Sequence, residues 1–432
     1  MRVIARRRAT APGGAAPRTS RPAGPSAATR IPGIEGLRAV AAGAILAYHV
    51  WITSGPAAAP VSLGPVSRHV LPHLALGVTL FFALSAFLLY RPFAARIVRG
   101  EALPGFRAYA RNRALRILPA YWVALVVSGF VLRTVRLPVD GQLGVGGFQE
   151  DLALFPMSAL FLHNFAPRFA LGGIDTVWSL VVEVCFYATL PLLAALAATL
   201  ARHAGTRPGR RFGAVVPAVV VLLVGLTGKA LAFALVTTDR YPSGWGGNWQ
   251  SVVERSAWAQ ADLFTYGLLV AVLSVEVGDG VLRLPSWWRA AARAVGSAVV
   301  AVTAATMPNA ITQRGELAHF AYESLMALGL GILLATVVVP SPEREARPST
   351  VLRVLEARPI VALGLVSYSL FLWHVPLISW MRLHDLTLPG RSGFAANLGI
   401  LTTLSVAVAA LGYVLVERPA LARKRSQRAP TP

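Results

Sequence analysis

Apolar runs of about twenty residues recur along the whole chain, separated by short polar stretches. At a rise of about 1.5 Å per residue, a helix of that length crosses the hydrocarbon core of a bilayer. The pattern therefore predicts an all-α fold, a polytopic integral membrane protein with about ten transmembrane helices. An eleventh apolar piece, residues 152–162, is too short to cross and is interpreted as a re-entrant or interfacial segment. The predicted spans are residues 34–54, 74–92, 117–136, 176–200, 213–237, 258–276, 291–308, 320–340, 360–381 and 394–417.

The polar stretches predict the orientation of these helices. Basic residues are dense in five segments: 1–30, 91–116, 202–211, 344–358 and 418–428. With ten spans, all five segments fall on one side of the membrane if both termini are cytoplasmic, as the positive-inside rule requires. We therefore expect a multi-pass protein of the cytoplasmic membrane with both termini in the cytoplasm.

Composition agrees with a membrane protein. Only 14% of the residues are charged and the mean hydropathy is +0.58, whereas about a quarter of a soluble chain is charged. The net charge of +22 is ascribed to the positive-inside rule and to anionic lipid headgroups, not to nucleic acid binding. Residues 1–30, without apolar periodicity, are predicted to be a disordered basic cytoplasmic tail, 31–420 the transmembrane domain and 421–432 a second basic tail. The single cysteine, Cys185, excludes an internal disulfide and is interpreted as packing.

The first span carries two ionisable side chains, Arg38 and His49. Eleven residues make almost three helical turns, so the two share a face and are separated by roughly 16 Å of rise. Ionisable residues at membrane depth are costly and mark functional sites. The spacing predicts a cation near the cytoplasmic surface and an imidazole in the outer half of the membrane.

Two further ionisable residues fall at a depth similar to that of His49: Glu183 in the fourth span and His374 in the ninth. A histidine can take a proton from a hydroxyl, and a carboxylate can fix its tautomer, so the three predict a buried acid–base site. The structural alternative is that each histidine bonds a backbone carbonyl; for His374 this would be one freed by Pro376. Lys229 is also intramembrane and is interpreted as a structural, snorkelling residue.

Arg113 and Arg116 lie three residues apart at the cytoplasmic start of the third span, so they share a helix face. Composition alone favours a topology anchor or a phospholipid clamp. The functional alternative is a phosphate site for a cytosolic anionic cofactor, because guanidinium groups bind phosphates bidentately and stay charged.

Five blocks in order along the chain together resemble the membrane-bound acyltransferase-3 family, which contains bacterial O-acyltransferases. A sixth segment near the end of the chain, Glu417-Arg418-Pro419, also matches the family pattern. Two positions depart from the family pattern: Ala86 stands in place of a glycine, and Val184 in place of a second acid that many members have. The blocks are Glu35 to Arg38 with His49, Phe81 to Leu89, Arg111 to Tyr121, Trp178 to Glu183 with Phe186 and Tyr187, and Ser367 to Pro376.

The resemblance implies a cytosolic acyl-CoA donor, with acetyl or another short acyl group as the default, and no metal. It implies that Arg38 and His49 are essential and that the cytoplasmic arginines Arg38, Arg113 and Arg116 lie near the donor. The aromatic residues of its blocks, Trp178, Tyr368 and Trp373, are the candidates for substrate binding.

The sequence and the resemblance together predict an integral membrane O-acyltransferase. His49 would be the general base, with Glu183 or His374 orienting it or stabilising charge, and a covalent acyl-histidine remains open. The acceptor could be a cell-surface glycan, a glycolipid or a macrolide-like metabolite carrying a hydroxyl. The main alternative is a transporter or flippase of a lipid-linked or glycan substrate, because it also needs polar residues at mid-membrane. The third hypothesis is a non-catalytic membrane scaffold.

Overall fold

The apolar runs of the sequence form a bundle of helices in a computed structural model that describes residues 31–55, 60–139, 142–235, 247–307, 317–341 and 348–425. The predicted tail 1–30 and residues 426–432 of the second tail lie outside the described residues. Short 3-10 helices occur at Leu71–Leu76, His163–Phe165 and Ala261–Phe264, and π-turns at Val127–Val131 and Tyr413–Glu417. The α-helices are α1 (Ile34–Thr53), α2 (Pro65–His69), α3 (Gly77–Arg99), α4 (Phe106–Val126), α5 (Leu154–Ala159), α6 (Val177–Ala204), α7 (Arg207–Ala234), α8 (Trp249–Glu254), α9 (Thr265–Gly278), α10 (Trp288–Thr306), α11 (Leu317–Val338), α12 (Thr350–Leu355), α13 (Arg358–Leu365), α14 (Ser367–Leu383), α15 (Gly390–Gly412) and α16 (Arg418–Arg425).

The long helices overlap the predicted spans, because in lipid an apolar run must satisfy its own backbone hydrogen bonds. Among the described residues, eight helical stretches are long and apolar enough to cross a membrane. A ninth span results if α13 and α14, bent by 71° at Val366, are counted as one. The remaining predicted span is covered by α10, which is less apolar and carries Arg289 and Arg293 in its first turns. The prediction of an all-α, polytopic membrane protein is confirmed.

The loop between the third and fourth spans differs from the expectation. The predicted third span lies too late in the chain, because α4 begins at Phe106 and its π-turn ends at Val131. A hairpin of β1 (Val135–Val139) and β2 (Gln142–Gly146) follows, antiparallel, with Val135 opposite Gly146. The short apolar piece 152–162 contains only the six-residue α5.

Two close backbone contacts fix the start of α1, one against α13 and the other against the end of α12. A Cβ on Gly364 would collide with the backbone oxygen of Glu35, and a Cβ on Gly36 would collide with the backbone of Leu355. Only glycine permits helices to approach so closely. The contacts bring Arg38 beside Ser367, the first residue of α14.

Candidate active site

One cavity, here called the arginine cavity, lies between α1, α3, α4, α6 and α14. Its polar lining contains the three predicted cofactor-binding arginines and the predicted acid, while the rest is mostly apolar. The guanidinium groups and the apolar side chains are chemically complementary to a ligand with an anionic end and an uncharged arm. The polar lining residues are Arg38, Ser85, Arg113, Arg116, Ser179, Glu183, Tyr187, Ser367 and Tyr368, and the apolar ones include Val78, Phe81, Leu88 and Phe371.

The three arginines differ in what they already bind. The Arg38 Nε donates to Ser367 Oγ at 3.2 Å and lies 3.9 Å from a carboxylate oxygen of Glu35. The Arg116 Nη1 forms an ion pair of 2.7 Å with Glu417 Oε2. The Nε of Arg113 is buried and has no hydrogen-bond partner within the described part of the chain. Arg113 therefore retains a donor for an anion, whereas Arg116 is largely neutralised by Glu417.

Glu183 belongs to the arginine cavity. Its carboxylate accepts from Ser85 Oγ at 2.6 Å and from Tyr187 OH at 2.8 Å. The expected cluster of Glu183 with both histidines does not form, because the carboxylate faces α3 and the next turn of its own helix. Depth along a helix was predicted from the sequence, but the direction of the side chain was not.

The two histidines do meet. The Nδ1 of His374 lies 3.1 Å from the carbonyl oxygen of Leu370 and 2.8 Å from that of Phe371, so it carries the hydrogen and leaves Nε2 as an acceptor. That Nε2 lies 3.3 Å from Nδ1 of His49, which is also 2.8 Å from the carbonyl oxygen of Ile45.

These contacts assign the tautomer of His49. Both partners of its Nδ1 are acceptors, so Nδ1 carries the hydrogen and Nε2 keeps a lone pair in the neutral ring. The carbonyls that His374 contacts are not the one freed by Pro376, which is the oxygen four residues earlier, on Leu372. The proposed structural reason for His374 is therefore wrong in this detail.

A second cavity, here called the histidine cavity, adjoins the first. His49 and Val78 line it, and Val78 also lines the arginine cavity. The cytoplasmic arginines and His49 therefore line two separate cavities, and Val78 belongs to the wall of both. The other polar lining residues are Tyr48, Thr79, Arg136, Asp175, Thr176, Trp178, Glu254, Arg255, Gln260, His319, Tyr322 and Glu323.

The three predicted substrate-binding aromatics occupy three different environments. Trp178 lines the histidine cavity, with the guanidinium of Arg255 over its ring at 5.8 Å. Tyr368 lines the arginine cavity, and its OH donates to the carbonyl oxygen of Ile117 at 2.9 Å. Trp373 is buried in the hydrophobic core and lines neither cavity. Its position does not support the prediction that it contacts substrate.

Lys229 does not snorkel. Its side chain is only 4% exposed, and its Nζ lies 2.7 Å from Asp262 Oδ2 and 2.8 Å from Ser324 Oγ. The 3-10 turn that carries Asp262 packs directly against α7, so the ammonium finds a carboxylate inside the bundle. This outcome follows the general rule that intramembrane charges are paired.

Sequence reasoning missed the polar wall of the histidine cavity. Asp175 stands just before the Trp178 block, and its Oδ2 accepts from Arg136 at 3.0 Å. His319 and Glu323, four residues apart on α11, could have been noticed as neighbours on one helix face. Among the described residues, no group of three His, Cys, Asp or Glu side chains is arranged to hold a metal ion.

The loop before α6, which lies outside the membrane-spanning helices, binds backbone carbonyls of two residues that line the histidine cavity. The Nδ2 of Asn164 donates to the carbonyl oxygens of Trp178 at 3.0 Å and of Arg255 at 3.2 Å, which ties α6 to the end of α8. Beside it, His163 is completely buried, and the loss of hydration lowers its pKa to about 4. The loop therefore contains a histidine that stays neutral at ordinary pH.

Comparison with known proteins relates this arrangement to acyl transfer. A family model described as an acyltransferase domain matches residues 31–416. Nodulation protein 10 of Rhizobium leguminosarum bv. viciae is 25% identical over 364 residues, which are 81% of this chain and 83% of that protein. Acyltransferase MdmB of Streptomyces mycarofaciens is 28% identical over 171 residues, 39% of this chain and 40% of that protein. No solved structure matches the chain.

Proposed function

Since the chain belongs to the acyltransferase-3 family and is a multi-pass membrane enzyme that transfers acyl groups, we propose that it is an O-acyltransferase that moves an acyl group from cytosolic acyl-CoA to a hydroxyl. One observation carries the proposal: two cavities of different chemistry share the wall at Val78. One contains Arg113 with an unused donor, and the other contains His49 with a basic nitrogen.

The arginine cavity is the donor site in this proposal. Arg38 and Arg113 bind phosphates of the donor, because guanidinium groups form strong charge-assisted hydrogen bonds with them. The apolar lining suits the uncharged arm that leads to the thioester. Arg116, paired with Glu417, supports the site rather than serving as a principal ligand. In this proposal the positive-inside rule places these arginines on the cytoplasmic side. Both termini are then cytoplasmic, and the protein resides in the cytoplasmic membrane.

The histidine cavity is the acceptor site. A hydroxyl of the acceptor gives its proton to Nε2 of His49 while its oxygen attacks the thioester carbonyl. The carbon–sulfur bond then breaks, and the departing thiolate of CoA takes the proton from His49. The products are the ester and free CoA thiol, so no other reactant is required.

His374 is a positioning residue in this mechanism. Its Nε2 accepts from the Nδ1–H of His49, which keeps the basic nitrogen at Nε2 and stabilises the imidazolium that forms. This is the task that the sequence assigned to either Glu183 or His374, and the 3.3 Å contact favours His374. Glu183 instead orients Ser85 and Tyr187 in the wall of the donor site.

The acceptor is a hydroxyl-bearing glycan, glycolipid or macrolide-like metabolite, and a short acyl group is the default donor. A transporter would move substrate without consuming acyl-CoA. The described residues contain one bent helix pair, α13–α14, whereas transporters of the inverted-repeat class have such pairs in corresponding halves. This observation gives no preference to transport.

His49→Asn tests the proposal, because asparagine keeps a donor near Ile45 but lacks a basic nitrogen. The matched control is His203→Asn, since His203 makes the same contact of 2.8 Å with the carbonyl oxygen four residues earlier but is exposed on α6. Purified proteins in detergent are given acetyl-CoA labelled in the acetyl group together with an envelope or metabolite extract. We expect His49→Asn to lose transfer at least a hundredfold and His203→Asn to retain it. Normal transfer by folded His49→Asn would refute the role of His49.

A further inference from the structure

The start of α6 forms one side of the histidine cavity and is held rigidly. The backbone of Arg136 pairs with that of Gly173 through two hydrogen bonds, of 2.8 and 3.0 Å. The side chain of Arg136 then binds Asp175 Oδ2. Asp175, Thr176 and Trp178 therefore stand in fixed positions on the cavity wall that also contains His49.

Two polar atoms of this segment are buried without a partner. Asp175 Oδ1 and Thr176 Oγ1 have no hydrogen-bond partner among the described residues, although both side chains are more than nine-tenths buried. A buried polar atom without a partner costs stability, so such atoms at a cavity are prepared to bind a ligand. The carboxylate oxygen can only accept, whereas the threonine hydroxyl can both donate and accept. A hydroxyl group of a ligand complements both.

The charges around the cavity disfavour an ionic ligand. Three carboxylates line it, from Asp175, Glu254 and Glu323, against the two guanidinium groups of Arg136 and Arg255. Asp175 is paired with Arg136, and the carboxylates of Glu254 and Glu323 lie 3.5 and 3.6 Å from His319. The opposite charges are thus distributed within the wall itself.

From these contacts we propose that the acceptor is an uncharged polyol, and that Asp175 and Thr176 bind a hydroxyl adjacent to the one that is acylated. The inference rests on the proposed function, because it assigns the acceptor to the histidine cavity. Trp178 offers an apolar ring beside the two polar side chains, which suits a ring that carries several hydroxyls. Asp175 and Thr176 thereby determine which hydroxyl compounds are accepted.

The experiment compares acceptors that differ by one hydroxyl. Purified enzyme is given acetyl-CoA with cyclohexanol or with cyclohexane-1,2-diol, and release of CoA thiol and formation of ester are measured. Methyl glucoside and glucuronate form a second pair that differs in charge. Thr176→Val removes the hydroxyl at constant shape, and Asp175→Asn removes the charge. The matched control is Thr189→Val, because Thr189 lies on α6, the helix that Thr176 precedes, but its hydroxyl donates to the carbonyl oxygen of Cys185.

We expect the wild type to prefer the diol to cyclohexanol, and methyl glucoside to glucuronate. In Thr176→Val the preference for the diol should fall about tenfold, the value of one good hydrogen bond, and Asp175→Asn should reduce it similarly. Thr189→Val should keep both the rates and the preference. An unchanged diol preference in both variants would overturn the inference, as would wild-type enzyme that hydrolyses acetyl-CoA but acylates no polyol. Wild-type enzyme that consumes no acetyl-CoA would instead contradict the proposed function.

Discussion

The ion pair between Arg116 and Glu417 joins α4 to the π-turn after α15. Variants that remove this pair show whether Arg116 stabilises the fold, binds the donor or does both. The pair has an Nη1–Oε2 distance of 2.7 Å, and the other carboxylate oxygen accepts from Ser369 Oγ at 2.6 Å. The side chain of Glu417 is 1% exposed and that of Arg116 is 21% exposed. Arg116→Met would therefore leave a buried carboxylate with a single neutral donor.

The magnitude follows from these exposures. Removal of one partner from a fully buried pair costs about 3–5 kcal/mol, whereas an exposed pair contributes about 0–1 kcal/mol. Since Arg116 reaches solvent in part, we expect Arg116→Met to lower the free energy of unfolding by about 2 kcal/mol, and the thermal midpoint by roughly 2 °C. The double variant Arg116→Met/Glu417→Leu contains no unpaired charge at this position and should be less destabilised than Arg116→Met alone.

Thermal unfolding of the purified proteins in detergent, combined with the KM for acetyl-CoA, provides the assay. The matched control is Arg133→Met, because Arg133 pairs with Glu150 at 2.6 Å but with side chains 57% and 46% exposed. Its midpoint should change little. Single-variant losses that simply add in the double variant would refute the coupling of Arg116 and Glu417. A double variant that regains the midpoint but keeps a raised KM would show that Arg116 also binds the donor.

Three further predictions concern other buried groups. His374→Phe should lower kcat about a hundredfold with little change in the KM for acetyl-CoA, because only the positioning of His49 is lost; an unchanged kcat would exclude that role. Lys229→Met should lower the free energy of unfolding, measured by thermal unfolding, by about 3 kcal/mol, because it leaves the Asp262 carboxylate unpaired. The double variant Lys229→Met/Asp262→Leu should regain most of this stability. A double variant no more stable than Lys229→Met would argue against the ion pair of Lys229 with Asp262. Since burial lowers the pKa of His163 to about 4 and an unfolded histidine titrates near 6.5, only the unfolded chain is protonated between these values. Stability should therefore fall as the pH falls from about 6.5 to 4, by about 3 kcal/mol in total, and His163→Leu should remove this dependence in pH-resolved melts.

The positions of the helices could be predicted from the sequence because each apolar run must form its own hydrogen bonds in lipid. The irregular region between α4 and α6 could not be predicted in this way. The strands Val135–Val139 and Gln142–Gly146 pair with each other, and Arg136 pairs with Gly173. A hydropathy pattern contains no record of such pairing, so the predicted third span, 117–136, ends inside β1 instead of at Val131.

The sequence predicted the depth of the candidate site residues in the membrane, but not the direction in which each side chain points. The contact of His49 with His374 agrees with their similar depth, and the residues that line the arginine cavity include all three predicted arginines. Glu183 lies at a compatible depth but turns towards Ser85. Depth depends only on the number of residues from a helix end, whereas direction depends on which helices are neighbours.

Contacts between residues distant in sequence could not be predicted for the same reason. Glu417 binds Arg116 across 301 positions, and His374 binds His49 across 325. Asp262 meets Lys229 because a 3-10 turn packs on α7, which a periodicity argument does not reveal. These contacts depend on the packing of whole helices, so they emerge only with the fold.

Val78 has one isopropyl group, yet it borders both the arginine cavity and the histidine cavity. A change in its size alters the two compartments simultaneously. In the proposed mechanism a smaller side chain at Val78 would enlarge the space between donor and acceptor and would also admit water to the thioester. Tolerance of longer acyl chains would then be accompanied by hydrolysis of the donor. If the proposal holds, acyl-chain selectivity and protection of the donor from hydrolysis would therefore both depend on Val78 of α3.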